Sequence, residues 1–169
     1  MKQPLFTETT QIAIVVRNLE RSLQTYVEDY GIGPWKIFEF NPSTGTDMIV
    51  DDRPTEYSMR VATAMVGTVE WELIEPLDDR SDYAKFLSTK GEGIHHVAVN
   101  VADYDRAVDT LRASGHIIRQ GGSYKGATFA YMSTDTDLGA ITELVNWPAG
   151  TNHTPDRMYP ADAAMEARD

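Results

Sequence analysis

Two segments of the chain, residues 11–23 and 96–108, carry the same pattern of apolar and polar positions. Each begins with small and β-branched residues in alternation, which predicts a strand, and then changes to the spacing of an amphipathic helix. Each predicted helix ends at a glycine, Gly31 or Gly115, a residue suited to the left-handed conformation in which chains leave helices. The pattern therefore predicts a strand followed by a helix at two places in the chain.

Three more strand-like runs follow each helix, so that each half of the chain is predicted to have the order βαβββ. These runs are residues 35–40, 57–65 and 69–75 in the first half, and 117–120, 129–134 and 140–146 in the second. A proline, Pro76 or Pro148, follows the last run in both halves and stops the strand. The sequence thus predicts an α+β protein built from two βαβββ modules, residues 8–76 and 93–148, that are related by a pseudo-twofold axis.

The rest of the chain is interpreted as connections. Residues 77–92 are predicted to be a linker with a short helix, because Tyr83, Phe86 and Leu87 are spaced to pack over the joint between the modules. The stretch 41–56 is acidic and contains glycine and proline, which indicates a mobile surface loop. Residues 149–169 form a polar C-terminal tail, for which both a docked helix and a loose end are open.

Four polar residues occupy equivalent positions in the two modules. Gln11 corresponds to His96 in the first strand, and Glu72 corresponds to Glu143 in the last. Because a buried, unpaired carboxylate is costly, its occurrence twice in core-facing strands calls for a partner or a metal. One imidazole, one amide oxygen and two carboxylates suit a divalent ion such as Zn, Ni, Co, Mn or Fe. We therefore predict that these four residues bind one metal.

Each of these residues has an ordinary interpretation when it is taken singly. A lone glutamine at a strand start is usually an edge residue, a lone glutamate faces solvent, and a lone histidine is a hydrogen-bonded core residue. Two neighbouring residues are further candidates. Strand alternation predicts that His95 faces away from His96, so that both could be ligands only if a bulge interrupted the strand. Glu70 shares a face with Glu72 but ranks below it as a ligand or second base, because its counterpart is apolar Ile141.

Composition excludes several classes of function. The formal net charge of -11 and the pI near 4.7 repel nucleic acid and anionic lipid. The absence of cysteine excludes disulfides and thiolate metal sites, and gives weak support for a reducing compartment. No signal-like start and no apolar run of roughly 18 residues are present, so we expect a cytoplasmic protein whose partner is a small molecule.

The chain resembles the vicinal oxygen chelate superfamily, and in particular its glyoxalase and methylmalonyl-CoA epimerase branches. The motifs that carry the resemblance are Gly93-Ile-His-His-Val-Ala-Val99, Trp71-Glu-Leu-Ile-Glu-Pro76 and the pair of segments 126–134 and 139–145. The resemblance covers about residues 8 to 148. It implies the glyoxalase/bleomycin resistance fold, a cupped mixed β-sheet, and it implies a homodimer. Its metal site falls on the same four residues that the internal repeat selects.

The sequence departs from the epimerase pattern at specific positions. Epimerases of this family usually have histidine where this chain has Gln11 and often glutamine where it has Glu72. The set Gln, Glu, His and Glu instead resembles that of eukaryotic-type glyoxalase I. The position of an additional catalytic glutamate in some epimerases falls near Val61 or Ala62, so that base is missing here.

The resemblance implies a metal-dependent isomerase, epimerase or lyase that acts through an enolate on a small carbonyl, CoA-thioester or hemithioacetal substrate. Glu143 is the first choice for the proton-transfer base and Glu72 the second. A metal-free binding protein of the antibiotic-sequestering kind is the alternative, and a dioxygenase ranks lower because Gln11 replaces a histidine. Trp71, Tyr131, Met65 and Phe129 are candidate pocket walls, although a core role is the more common one for each of them. Arg60 and Lys125 are candidate partners of a substrate carboxylate or phosphate, although exposed cations usually only contact solvent.

Overall fold

The computed structural model describes residues 3–152 and 154–163, so His153 and the last six residues of the predicted tail lie outside the described residues. Four helices are present in this part of the chain: α1 (Leu19–Glu28), α2 (Asp82–Lys90), α3 (Tyr104–Ala113) and the single turn α4 (Asp135–Leu138). The strands are β1 (Glu8–Val15), β2 (Trp35–Phe40), β3 (Gly45–Val50), β4 (Arg53–Pro54), β5 (Met59–Val66), β6 (Val69–Pro76), β7 (Gly93–Asn100), β8 (Ile118–Tyr124), β9 (Ala127–Met132), β10 (Ile141–Asn146) and β11 (Arg157–Tyr159).

All the strands of the described residues belong to one mixed sheet, which curls around a central cavity. Its order is β11-β2-β5-β6-β1-β7-β10-β9-β8-β3-β4. The first module contributes β2-β5-β6-β1, and its equivalents in the second module, β8-β9-β10-β7, run inward from the other side of the sheet. The antiparallel pair β1 and β7 joins the two groups. The predicted α+β fold with a cupped, pseudo-twofold sheet is confirmed, and the two modules pair within one chain.

The segment 41–56 is not a free surface loop, as the sequence suggested, but contains the hairpin β3-β4. Asp51 and Asp52 both have positive φ, 51° and 59°, which is the conformation of a tight hairpin turn. Strand β3 leaves its own module and pairs with β8 of the other. Part of the predicted tail also forms a strand, because β11 pairs with β2 at the opposite edge. These two pairings extend the sheet at both ends.

Helices α1 and α3 cover the outer face of the sheet. Their first turns are capped by Asn18 and Asp103, whose side chains accept hydrogen bonds from backbone N–H groups three residues later. Leu19 and Leu23 of α1 pack on β2, β5 and β6, and Leu111 of α3 packs on the second module. None of the described helices has the length and apolarity needed to cross a bilayer.

The inner face of the sheet holds a second core beneath α2. Tyr57 and Tyr83 are fully buried there with apolar residues from both modules. The Tyr57 hydroxyl donates a hydrogen bond of 3.0 Å to the carbonyl of Gly121 and so links the two halves. One part of this inner face stays open, and the candidate site lies there.

Candidate functional site

The four residues singled out by the repeat lie on the two central strand pairs, in two rows that cross the sheet. Glu72 and His96 each stand opposite Ala13, and Gln11 and Glu143 each stand opposite Ala98. Side chains paired across strands share a face, so all four turn toward the same side. Both alanines are buried, and their small side chains leave space for the long polar ones. The pseudo-twofold symmetry thus brings the four positions together.

Two β-bulges, one on each central strand, adjust this arrangement. The pairing of β1 with β7 shifts between Thr9 and Gln11, and again where Ala13 pairs with His96 and the next residue pairs with Ile94. The second shift leaves His95 unpaired. The expectation that His95 and His96 face opposite sides is therefore wrong: both side chains are buried, and their Nδ1 atoms lie 3.0 Å apart.

Three of the four side chains meet at one point. His96 Nε2 lies 3.2 Å from Glu143 Oε2 and 3.5 Å from Glu72 Oε2. All three atoms are buried, and none has a hydrogen-bond partner within the described residues. Burial raises the pKa of Glu72 to about 7. Burial would lower the pKa of His96, but the two carboxylates outweigh it and raise that pKa to about 9.

Gln11 lies beside this trio without joining it. Its side-chain Nε2 donates a hydrogen bond of 3.0 Å to Glu70 Oε2, and both residues line the same cavity. Among the residues that the structure describes, no group of three or more His, Asp or Glu side chains is placed so that it could hold a metal ion. The convergence of Glu72, His96 and Glu143 is thus a close contact of polar atoms.

A chain of hydrogen bonds leads from His96 to the surface. His95 Nε2 lies 3.1 Å from Asp82 Oδ2, and Asp82 Oδ1 accepts a hydrogen bond of 3.0 Å from Arg119 Nη2. Burial opposes the charge on Asp82, but the bonds from His95 and Arg119 hold its pKa below the usual value. Burial lowers the pKa of His95 to about 4. His95 is therefore neutral, with its proton on Nε2, and its Nδ1 accepts from His96.

A cavity of about 340 Å³ opens over the trio. Phe38, Phe40 and Phe129 form much of its wall, Glu70 and Glu72 lie on one side, and Trp147 lies at its edge. Volumes of this size are at the small end of the range for sites that bind small molecules. The arrangement joins an apolar space to a polar end, so it suits an apolar molecule with a polar reacting group.

Only some of the other residues proposed from the sequence line the cavity. Tyr131 and Phe129 line the cavity as expected, whereas Trp71 packs on the outer face beside α1 and Met65 does not line it. Val61, one of the two residues near which the resemblance would place an additional epimerase glutamate, lines the cavity as an apolar residue.

Neither proposed cation is free. Arg60 pairs with Glu75 at 2.6 Å, and Lys125 pairs with Asp156 at 2.9 Å. Sequence reasoning missed Lys36, which lines the cavity, although the alternation of β2 places it on the same face as Phe38.

Two βαβββ units that share one curled sheet, with a cavity at their pseudo-twofold axis, define the class of glyoxalase-like folds. A sequence model of the "Glyoxalase/Bleomycin resistance protein/Dioxygenase superfamily" matches residues 10–131. The chain belongs to this family. It is also 33% identical over 104 residues to YqjC of Bacillus subtilis (strain 168), an uncharacterized protein, in a match that covers 58% of this chain and 71% of YqjC.

Solved structures agree on the fold. A methylmalonyl-CoA epimerase in complex with methylmalonyl-CoA and NH4+ is 24% identical, with a TM-score of 0.65 over 89% of this chain and 99% of that one. The methylmalonyl-CoA epimerase of Mycobacterium tuberculosis is 25% identical, with a TM-score of 0.61 over 88% and 93% of the two chains. A hypothetical protein, BH1468 of Bacillus halodurans C-125, is 24% identical, with a TM-score of 0.64 over 83% and 94%.

Proposed function

We propose that this protein is a metal-dependent isomerase, epimerase or lyase that removes and returns a proton next to a carbonyl group. The observation that carries the proposal is the meeting of three buried, unsatisfied atoms: Glu72 Oε2, His96 Nε2 and Glu143 Oε2. Buried polar atoms without partners are rare in native proteins, and three at one point call for a common ligand. A dication would satisfy all three and offset both carboxylate charges.

The spacing of these atoms supports a metal as that ligand. Nitrogen and oxygen ligands at about 2.1 Å from one ion lie about 3.0 to 3.5 Å from each other. The separations of 3.2 and 3.5 Å from His96 Nε2 agree with that range. Gln11 would supply the fourth ligand through its amide oxygen, and the bond from its Nε2 to Glu70 would hold the amide in place.

The histidine pair supports the same assignment. Asp82 accepts a hydrogen bond from His95 Nε2, so His95 Nδ1 accepts a hydrogen bond from the N–H that His96 carries on its own Nδ1. The pKa of about 9 leaves His96 protonated in the metal-free protein, and a bound metal would displace the proton from Nε2 while the proton on Nδ1 stays bonded to His95. His95 itself has both nitrogens engaged, so the pair of histidines that a 2-His-1-carboxylate dioxygenase needs is not offered by these adjacent residues.

The chemistry follows from the residues around the cavity. A bound dication would act as a Lewis acid that stabilises negative charge developing on a carbonyl oxygen. Glu143 is our first choice for the base that takes the proton from the adjacent carbon, and Glu72 is the second. Returning the proton to the opposite face gives epimerisation, and returning it to the neighbouring carbon gives isomerisation. The aromatic walls would exclude water from the exchanged proton.

A second candidate is a metal-free protein that binds a small molecule. The aromatic lining of the cavity favours it, since Phe38, Phe40 and Phe129 would hold a flat ligand without any reaction. The two candidates differ in what Glu72 and Glu143 do. A binding protein would retain its ligand after these carboxylates were replaced, whereas the enzyme would lose its metal and its activity.

Metal content is the decisive measurement. We expect about one divalent ion per chain in protein purified without chelator and measured by elemental mass spectrometry. Glu143→Ala and Gln11→Ala should lose the ion, and Glu39→Ala, at an exposed strand position, should keep it. Loaded protein should then exchange substrate protons with deuterium from solvent in a screen of hemithioacetals and acyl thioesters. Absence of metal after supplementation would refute the mechanism and favour the binding protein.

A further inference from the structure

The inner face of β2 carries a lysine, Lys36, whose side chain pairs with no other group of the described residues. Trp35 and Ile37 pack under α1, so alternation turns Lys36 and Phe38 into the cavity. Lys36 is half-buried, and within the described residues it makes no ion pair or hydrogen bond. Lys125, the other described cation of the lining, is held by Asp156 and by the carbonyl of Thr154 at 2.7 Å. A lysine tied down in this way is not available to a ligand.

The strand register places Lys36 in line with the candidate metal ligands. Lys36 stands opposite Thr63, Thr63 stands opposite Glu72, and Glu72 continues through Ala13 to His96. Adjacent strands are about 4.8 Å apart, so the backbones of Lys36 and Glu72 are about 10 Å apart across two strands. A lysine side chain bridges part of that distance. The cavity thus has carboxylates and a histidine at one end, and a cation toward the other.

The second module shows that this lysine is not a structural requirement of the fold. The equivalent row runs from Glu143 through Tyr131 to Gln120. Gln120 is fully buried, and its side-chain oxygen accepts a hydrogen bond of 2.6 Å from the backbone of Asp82. In the second module, Gln120 at this position therefore supports the fold. In the first module, Lys36 at the equivalent position carries a charge that faces the open cavity, and this charge calls for a ligand of opposite charge.

We propose that Lys36 binds an anionic group of the substrate, so that the substrate is a carbonyl compound with an apolar body and a carboxylate or phosphate remote from the reacting carbonyl. The inference rests on the proposed function, which would place that carbonyl beside Glu72, His96 and Glu143. Phe38, Phe40 and Phe129 hold the apolar body between the two ends. A carboxylate of a small acid fits inside the cavity. A phosphate would belong to a coenzyme A thioester whose acyl end alone enters it.

Two matched pairs of probes distinguish the two sources of the anion. One pair is 4-oxo-4-phenylbutanoate and its methyl ester, and the other is propionyl-CoA and propionyl-pantetheine, which lacks the phosphates. Binding to wild type, Lys36→Met, Lys36→Arg and Lys90→Met is measured by calorimetry. Lys90 serves as the control because it does not line the cavity, and its replacement changes the net charge equally.

We expect Lys36→Met to weaken binding of the anionic member of one pair by about tenfold or more, as for loss of one charge-assisted hydrogen bond. Lys36→Arg should retain most of the affinity, and Lys90→Met should match wild type. The neutral member should bind all variants equally. A loss confined to the oxo acid identifies a carboxylate, and a loss confined to the CoA thioester identifies a phosphate.

The inference is overturned if Lys36→Met binds both members of each pair as wild type does, or if wild type binds none of the four probes. Metal content, measured on the same samples, separates this result from failure of the proposed function. If the protein holds no metal but Lys36→Met still weakens binding of the anionic probe, the anion site is supported and the enzyme mechanism is refuted. If the protein holds metal but Lys36→Met binds the anionic and neutral probes as wild type does, only the anion site is refuted.

Discussion

Replacement of His95 by phenylalanine tests the hydrogen-bond chain that reaches His96 from the surface. The change removes the acceptor that lies 3.0 Å from His96 Nδ1 and the donor that lies 3.1 Å from Asp82. A phenyl ring of similar shape keeps the packing against Tyr83 and Phe86, whose centroids lie 5.0 and 5.2 Å away. The variant should therefore fold, and its defect should appear in the metal.

The expected magnitude follows from the role of the lost acceptor. Without it, the neutral His96 has no reason to keep its proton on Nδ1, and the tautomer with a bare Nε2 loses its advantage. Loss of such an outer hydrogen bond weakens metal binding by about 10- to 100-fold. This corresponds to about 1.4 to 2.7 kcal/mol of binding free energy. The free energy of unfolding of the metal-free protein should fall by about 1 to 3 kcal/mol, because a buried donor is left unsatisfied.

The assay is competition for the metal against a chromophoric chelator, with thermal unfolding measured in parallel. His116→Phe is the matched control, since His116 bonds the carbonyl of Ser133 away from the trio. His95→Gln should restore part of the affinity, because an amide offers both an acceptor and a donor. A folded His95→Phe variant that holds the metal within about twofold of wild type, well below the expected loss, would refute the reasoning.

Three further changes test the site and its frame. Ala98→Leu should fill the space between Gln11 and Glu143, which both stand opposite Ala98, and should abolish metal binding at a cost of about 1 to 3 kcal/mol of stability. Metal content and urea unfolding measure this, and retention of the metal would contradict the arrangement. Because the pKa of Asp82 is lowered in the folded protein, its stabilisation is present above the usual aspartate value and is lost as pH falls through the folded value. Asp82→Asn should therefore flatten the decline of stability in acid, and a decline as steep as that of wild type would count against it. Gly121→Ala should destabilise by about 1 to 3 kcal/mol, since its Cβ would lie 2.7 Å from the Phe129 carbonyl, whereas Gly93→Ala meets nothing within 4 Å and should unfold like wild type.

The repeat in the sequence was enough to predict much of this molecule. The change from strand to helical spacing, read twice, identified both modules, because period is a local property that each segment carries in its own side chains. Equivalent positions in a repeat become neighbours across a pseudo-twofold axis, so the sequence also selected Glu72, His96 and Glu143, which the structure brings together. The metal that we assign to them stays a prediction.

Tertiary structure decided what no local pattern could. Strand β3 pairs with β8 through residues far apart in the chain, whereas the acidic, glycine and proline residues of 41–56 had indicated a surface loop. His95 turned inward because a bulge broke the alternation on which its predicted direction depended. Lys36 became a candidate ligand-binding residue only when the register aligned it with Glu72. Periodicity therefore determined the elements and their symmetry, while the register, bulges and long-range pairing determined which side chains face the cavity.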